Sequence, residues 1–117
     1  MKRISVAGIE LDIDIRGNGP PMLYLHPEHY AHLHEPFINI LAEHWRVFVP
    51  RHPGFDGRRP PSQFRNVGDL SYLYLDLLDQ LDLVEVTLLG ASFGGWIGLE
   101  MAVRNTTRLK SLELIAP

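Results

Sequence analysis

The stretch that decides the fold is Val86-Thr87-Leu88-Leu89-Gly90-Ala91-Ser92-Phe93-Gly94-Gly95, where an apolar strand runs into a Gly-x-Ser-x-Gly turn that opens an apolar helix. A serine on such a sharp turn projects its hydroxyl above the sheet. The residues two before and two after it must be small, because strand and helix approach closely there, and Gly90 and Gly94 meet that need. The pattern predicts that Ser92 is a nucleophile. The alternative is a glycine-rich connection that contains an unreactive serine.

The composition is that of an ordinary folded domain. The sequence has 117 residues, 45% of them hydrophobic, which suffices for one buried core and predicts a single domain over 1–117. A formal net charge of -3 offers no basic surplus for nucleic acid or an anionic membrane. The absence of cysteine excludes disulfides and thiolate metal sites and makes the cytoplasm the expected location. We expect a soluble protein, because the sequence shows neither a signal-peptide core nor an apolar run that could span a bilayer.

Hydrophobic patterning predicts strands that alternate with helices. Apolar and charged residues alternate over 9–16, which indicates a half-solvated strand paired with 3–7 through a turn at Ala7-Gly8. A continuous apolar run over 22–25 is typical of a strand buried on both faces. The other predicted elements are a helix over 35–43, a strand over 45–49 ended by Pro50, a long loop over 50–63, a helix over 67–81, the strand that begins at Val86, a helix over 94–104 and a strand over 110–116.

The two longer helices differ in amphipathic character. The helix over 67–81 has one apolar stripe, and its carboxylates Asp76, Asp79 and Asp82 lie away from it, so we interpret them as a solvated face rather than as an acid-base set. The helix over 94–104 is apolar on most sides and is predicted to be central. The whole pattern predicts an α/β architecture with a mainly parallel six-stranded sheet and right-handed crossovers.

Three motifs in this order resemble the α/β-hydrolase fold superfamily, and the resemblance covers essentially the whole chain. They are Leu25-His26 after the third strand, Pro53-Gly54-Phe55 after the fourth, and the turn from Gly90 to Trp96. The resemblance implies the strand order 1-2-4-3-5-6 with strand 2 antiparallel, and a serine hydrolase site at the carboxyl edge with Ser92 as nucleophile. It is the N-terminal half of that fold that the chain resembles, without cap, triad acid or triad histidine, and we expect a truncated, minimal, designed or relic domain.

A serine needs a base to take its proton, and the base needs an orienting carboxylate. In the superfamily both follow the serine in the sequence. Here no histidine follows Ser92, and the later carboxylates are Glu100, inside a predicted helix, and Glu113, inside a predicted strand. Two hypotheses stay open. One is a serine acyl or ester hydrolase, esterase-like, whose incomplete core is inactive or weakly active alone; the other is a non-catalytic folding and self-assembly module.

The oxyanion hole is better represented than the triad, because it is built from backbone donors. The resemblance implies that the amide of Phe93 supplies one donor and that the second comes from the loop after the third strand. That loop is usually His-Gly and here is His26-Pro27-Glu28. Proline has no amide hydrogen, so Glu28 is the expected donor. A second departure is Arg51-His52-Pro53-Gly54-Phe55-Asp56-Gly57, where the family often starts with aspartate and has glycine in place of Asp56.

Four of the six histidines, His26, His29, His32 and His34, fall within one short segment. Three interpretations are open: a divalent metal site, a loop lining the pocket in which His26 positions the turn, and a base that sits above Ser92 in place of the missing triad histidine. We assign no metal, because a loop bracketed by prolines does not hold these imidazoles in a fixed geometry. No organic cofactor is implied, since the one glycine-rich turn contains Ser92 and lacks a phosphate-binding spacing.

The expected partners are a small ester or acyl substrate, if the chain is active, and a second copy of the chain. An uncovered sixth-strand edge and uncovered helix faces would expose unpaired backbone groups and apolar side chains, which favours a homodimer. Neither nucleic acid nor a membrane is an expected partner. The substrate itself is not predicted, because in the superfamily a cap and later loops shape the pocket, and the same turn also serves peroxidases, lactonases, peptidases and carbon-carbon bond hydrolases.

Overall fold

The structure, a computed structural model, describes residues 2–27, 35–53 and 66–115. The described part of the chain contains six strands and three helices. In chain order they are β1 (Lys2–Val6), β2 (Ile9–Arg16), β3 (Pro21–Leu25), α1 (Glu35–Leu41), β4 (Arg46–Pro50), α2 (Val67–Gln80), β5 (Val86–Ala91), α3 (Phe93–Arg104) and β6 (Leu109–Ile115).

All six strands form one sheet, in the order β1-β2-β4-β3-β5-β6. β2 is antiparallel to both of its neighbours, whereas β4, β3, β5 and β6 are mutually parallel. The α/β class and the strand order implied by the resemblance are therefore confirmed. The β1–β2 hairpin turns at Ala7 and Gly8, with φ of 50° and 83°, the left-handed pair that a tight two-residue hairpin needs.

Apolar side chains fill both faces of the sheet. One cluster lies between the sheet and helices α2 and α3, and the other lies beneath α1. The predicted stripe of α2 is confirmed, because Leu70, Leu73, Tyr74, Leu77 and Leu78 are all buried, while the carboxylates Asp76, Asp79 and Asp82 are exposed. α2 begins at Val67 because Asn66 and Asp69 form a reciprocal capping box.

Some boundaries differ from the predicted ones. α1 ends at Leu41, two residues early, because the chain tightens there: the amides of Glu43 and His44 donate to the carbonyls three residues before them, at 3.2 and 3.1 Å. The strand predicted over 45–49 begins one residue later and includes Pro50. Most of the loop predicted over 50–63 lies outside the described residues.

The prediction that the helix over 94–104 is central is wrong for one side of it. Its glycine face packs against the sheet, where Gly98 lies close to Leu112 of β6. Trp96, Leu99 and Val103 point the other way and are 55%, 44% and 84% exposed. Apolar residues on two sides of a helix do not reveal from sequence alone which side meets the sheet. No helix in the described ranges is long and apolar enough to cross a membrane.

Candidate active site

The candidate site lies at one edge of the sheet, where three neighbouring parallel strands end. β4 ends at Pro50, β3 at Leu25 and β5 at Ala91. Because β4, β3 and β5 are parallel neighbours, the residues that follow them meet at the same edge. Those residues include His52, His26 and Ser92.

Ser92 stands on a sharp turn between β5 and α3. Its φ of 53° and ψ of -113° lie in a region that side-chain-bearing residues rarely occupy. Such a conformation costs on the order of 1–3 kcal/mol and persists only where surrounding contacts enforce it. Here the amide of Ser92 donates to the carbonyl of Ile115 at 2.9 Å, and its carbonyl accepts from Gly95 at 2.9 Å and from Trp96 at 3.2 Å.

The glycines around Ser92 are required by close backbone contacts. A Cβ added to Gly90 would lie 2.6 Å from the carbonyl oxygen of Gly94. A Cβ added to Gly94 would collide with the carbonyl group of Leu25 and lie 2.8 Å from the carbonyl oxygen of His26. The first turn of α3 therefore rests directly on the end of β5 and on the turn after β3. This explains physically why residues two before and two after Ser92 are glycine.

Ser92 does not use its hydroxyl to cap α3, which begins at Phe93. The first amides of a helix have no partner within it and carry the positive end of the helix dipole. The turn therefore presents a half-buried serine side chain beside backbone donors at a helix N-terminus. A nucleophilic oxygen beside donors that stabilise an oxyanion is the arrangement that acyl transfer requires.

His26 is fully buried in the turn after β3. Its Nδ1 lies 2.6 Å from the carbonyl oxygen of Pro27, and its Nε2 accepts a hydrogen bond from the amide of His52 at 3.0 Å. A carbonyl can only accept, so Nδ1 carries the proton and Nε2 is the acceptor. Both ring nitrogens of His26 thus form hydrogen bonds within and beside the turn.

His52 is the residue that sequence reasoning missed. It is fully buried, its Nε2 donates to the carbonyl of His26 at 2.8 Å, and its Nδ1 lies 2.5 Å from the hydroxyl of Tyr74. The rings of His26 and His52 stack with centroids 3.7 Å apart. Burial, and then the proximity of His26, lowers the pKa of His52 well below its ordinary value of 6.5.

Tyr74 could have signalled this contact. Its position in the apolar stripe of α2 brings a hydroxyl into the core, and buried hydroxyls need partners. Burial raises the pKa of Tyr74 well above its ordinary value, so the phenol keeps its proton and donates it to Nδ1 of His52. The Phe93 ring lies edge-on to the His52 ring, with the two ring centroids 5.7 Å apart.

Several predicted site residues lie outside the described residues: Glu28, the expected second oxyanion donor, and His29, His32 and His34. Among residues 2–27, 35–53 and 66–115, no three His, Asp or Glu side chains come together as a metal site would require. Of the later carboxylates, Glu100 forms an ion pair with Arg104 on α3, and Glu113 is exposed on β6.

A family model described as "alpha/beta hydrolase fold" matches residues 20–117. The chain belongs to the alpha/beta hydrolase family. This alpha/beta hydrolase is 26% identical over 116 residues to "Uncharacterized hydrolase YcgS" of Bacillus subtilis, a match that covers 97% of this chain and 40% of the relative. It is 34% identical over 107 residues to a haloalkane dehalogenase of Psychrobacter cryohalolentis, with 85% of this chain and 35% of the relative covered.

Solved structures agree on the fold of this alpha/beta hydrolase. An alpha/beta hydrolase fold protein from Burkholderia ambifaria superposes with a TM-score of 0.84 at 23% identity, covering 99% of this chain and 45% of that one. The chain spans about two-fifths of the curated relatives it matches, 40% of one and 35% of another. What those whole proteins act on is therefore carried to this chain only as a proposal.

Proposed function

We propose that this alpha/beta hydrolase is a serine hydrolase of the acyl or ester type, with Ser92 as nucleophile and the amide of Phe93 as an oxyanion donor. The observation that carries the proposal is the backbone of Ser92. Its left-handed φ of 53° is held at a strand-to-helix turn by backbone hydrogen bonds, and the glycines on either side make contacts that leave no room for a Cβ. A strained residue held in place by its surroundings is typical of a functional site.

The reaction follows from this geometry. The Ser92 oxygen forms a bond to the carbonyl carbon of a small ester while its proton passes to a base, and the carbonyl oxygen becomes an oxyanion beside the amide of Phe93. Collapse of the tetrahedral intermediate expels the alcohol, which takes up a proton. Water then attacks the acyl-serine, releasing the carboxylic acid and restoring the hydroxyl. Glu28 is the proposed second donor to the oxyanion.

No described histidine at this edge is available as the base. His26 and His52 use all four of their ring nitrogens in the hydrogen bonds given above. His44 precedes β4, so it lies toward the opposite edge of the sheet. The base in these 117 residues is therefore proposed among His29, His32 and His34, and without such a base the chain would turn over esters weakly. A cytoplasmic location remains our expectation from the cysteine-free sequence.

The test is reaction with p-nitrophenyl acetate, followed by nitrophenol release and by the intact mass of the protein. We expect an acetyl adduct in the wild type that is absent from Ser92→Ala. Ser5→Ala is the matched control, because Ser5 is an exposed serine on β1 at the far edge of the sheet, and it should react like the wild type. Equal acetylation and turnover in Ser92→Ala would refute the proposal.

A second candidate is self-assembly, carried by the exposed apolar surface of α3 and β6. We define this outer surface as Trp96, Leu99 and Val103 of α3 and Leu114 of β6, which are between 39% and 84% exposed in the described part of the chain. Ile115 is also 39% exposed, but as the next residue of the strand it points to the opposite face of the sheet. Exposed apolar side chains on one side of a fold favour association. Sedimentation velocity at micromolar concentration should show a dimer, and a monomer throughout would contradict this candidate. Folding and assembly without any Ser92-dependent chemistry would favour it over the first.

A further inference from the structure

His52 contacts residues of three elements around the candidate site. Its backbone amide and ring bind His26 after β3, its Nδ1 accepts from Tyr74 of α2, and its ring meets Phe93 at the start of α3. The chain just before it is anchored too, since the amide of Arg51 donates to the carbonyl of Asp12 at 2.8 Å.

The hydrogen bonds of this cluster admit one arrangement of protons. Two of the acceptors are carbonyl oxygens, of Pro27 and His26, so Nδ1 of His26 and Nε2 of His52 must each carry a proton. Nε2 of His26 faces an amide hydrogen and must be bare. Burial lowers the pKa of His52 and keeps its ring neutral, so Nδ1 of His52 is the acceptor of the Tyr74 hydroxyl. The two imidazoles are therefore neutral and in opposite tautomers.

The position of His26 matters for Ser92 because of Gly94. The carbonyl oxygens of Leu25 and His26 lie so close to Gly94 that no Cβ fits between them. The same His26 carbonyl accepts from the ring of His52. The ring of His52 thus helps to fix the position of the turn after β3 relative to the first turn of α3. In the sequence, Glu28 is two residues after His26.

We propose that His52 is a positioning residue of the site: hydrogen-bonded by Tyr74, its ring holds the His26 carbonyl, and so the turn that contacts Gly94 in the first turn of α3, in the geometry that oxyanion binding at the Phe93 amide needs. This rests on the proposed function of Ser92. The hold requires both imidazoles to stay neutral, because a proton added to Nε2 of His26 would face the His52 amide, and a proton added to Nδ1 of His52 would remove the acceptor of the Tyr74 hydroxyl. The titratable groups that face His52 in the described structure are His26 and Tyr74, and Arg51 adjoins it in the chain.

Imidazole nitrogen NMR on the whole 117-residue chain tests the proton arrangement directly, with assignment by single His→Gln variants. We expect His26 as the Nδ1–H tautomer and His52 as the Nε2–H tautomer at neutral pH. Finding His52 as the Nδ1–H tautomer, or with both ring nitrogens protonated at neutral pH, would overturn the proposal.

Positioning is tested by two replacements of His52. The side-chain amide of His52→Gln can donate to the His26 carbonyl from the place of Nε2, whereas His52→Leu cannot. Near-ultraviolet circular dichroism first checks that both variants are folded. The rate at which a fluorophosphonate labels Ser92 should then stay within about threefold of the wild-type rate in His52→Gln. In His52→Leu it should fall at least about tenfold below the wild-type rate, which is a rise of about 1.4 kcal/mol in the activation free energy. His44→Gln should label like the wild type. Equal labelling of His52→Leu and the wild type would refute the positioning role.

Two further readouts keep the test decisive. If His52→Leu does not fold, Tyr74→Phe replaces it, with Tyr72→Phe as control because Tyr72 is exposed on the same helix. Tyr74→Phe should slow the labelling of Ser92, and Tyr72→Phe should not.

If the wild type is not labelled at all, the proposed function fails, but the amide resonance of Phe93 still reports the position of the first turn of α3. Both variants lose the imidazole ring beside Phe93, but only His52→Gln keeps the hydrogen bond, so this resonance should shift further in His52→Leu than in His52→Gln, and equal shifts in both variants would count against His52.

Discussion

The carboxyl edge of the sheet and the outer surface of α3 and β6 are built in opposite ways, although one helix contributes to both. At the edge, Gly94 contacts backbone carbonyls so closely that no atom can be added, and the buried polar rings of His26 and His52 are hydrogen-bonded at every nitrogen. On the outer surface, Trp96 and Val103 of the same helix are more than half exposed. Backbone contacts and hydrogen bonds therefore fix the positions of the residues at the edge, whereas the exposed side chains of the outer surface are held by few contacts.

This difference separates the residues that specify the site from those that are available for association. A substitution at the edge must displace backbone or leave a buried polar group without its partner, and both are costly. A substitution on the outer surface changes side chains that have few contacts within the described chain, and should leave folding almost unchanged. The free energy of unfolding, measured on matched pairs of variants, therefore tests whether the edge and the outer surface differ in this way.

Gly94→Ala should have the largest effect. Its methyl group would collide with the backbone of Leu25 and lie 2.8 Å from the carbonyl oxygen of His26. Because backbone cannot move aside as a side chain can, we expect a loss of more than about 3 kcal/mol in the free energy of unfolding, measured by urea denaturation.

Gly98→Ala is the control for Gly94→Ala on the same helix. Its Cβ would meet the flexible Cδ1 of Leu112 at 3.2 Å and would make ordinary van der Waals contacts with the Leu88 side chain at 3.5 and 3.7 Å. The gain in helix propensity, roughly 0.5–1 kcal/mol, should offset that contact. Equal losses in the free energy of unfolding in Gly94→Ala and Gly98→Ala would mean that the edge is no less tolerant of an added Cβ than the rest of α3.

Tyr74→Phe should come next. It removes the donor to Nδ1 of His52 and leaves a buried acceptor unsatisfied, which costs about 1–3 kcal/mol. Tyr72→Phe, two residues away and 57% exposed, should change the urea midpoint by no more than about 0.5 kcal/mol. A neutral Tyr74→Phe would show that the hydroxyl is not needed to satisfy the histidine cluster.

Much of the fold could be predicted from the sequence because its signals are local. The alternation along β2, the stripe on α2 and the glycines around Ser92 each act through neighbours a few residues away, and all three appear in the structure. The strand order came from the resemblance to a known fold, since periodicity does not say which strands pair.

The histidine cluster could not be predicted in the same way. His52 and Tyr74 are 22 residues apart, and their contact depends on how closely α2 packs beside the end of β4. Likewise, both sides of α3 are apolar, so composition did not reveal that Trp96 and Val103 face outward. Long-range packing decided both features, and packing is what a linear pattern does not contain.

Acid should lower the free energy of unfolding through His52. The pKa of His52 is lowered in the folded protein, so below about pH 6.5 the unfolded chain binds more protons, and stability falls as the pH falls. One such group contributes about 1.4 kcal/mol between pH 7.5 and pH 5.5. Urea midpoints over that range should show this loss in the wild type and a smaller one in His52→Gln. The same pH dependence in both proteins would contradict the assignment.

Changes on the outer surface should have the smallest effect on folding. Val103→Lys and Leu99→Gln replace side chains that are 84% and 44% exposed, and should alter the free energy of unfolding by no more than about 0.5 kcal/mol. Their effect should instead appear as a lower sedimentation coefficient at micromolar concentration, if this surface associates. A large loss of stability without a change in association would mean that the surface packs inside the fold.

The most direct test of the account is the position of a fluorophosphonate adduct, determined by peptide mass spectrometry on the wild-type chain. The account predicts that the adduct is on Ser92, the serine held at a φ of 53°, and that the fully buried Ser71 is unmodified. Ser92→Ala should carry no adduct while keeping the wild-type circular dichroism spectrum. An adduct on another serine, or equal labelling of Ser92→Ala, would contradict the assignment of Ser92 as the nucleophile.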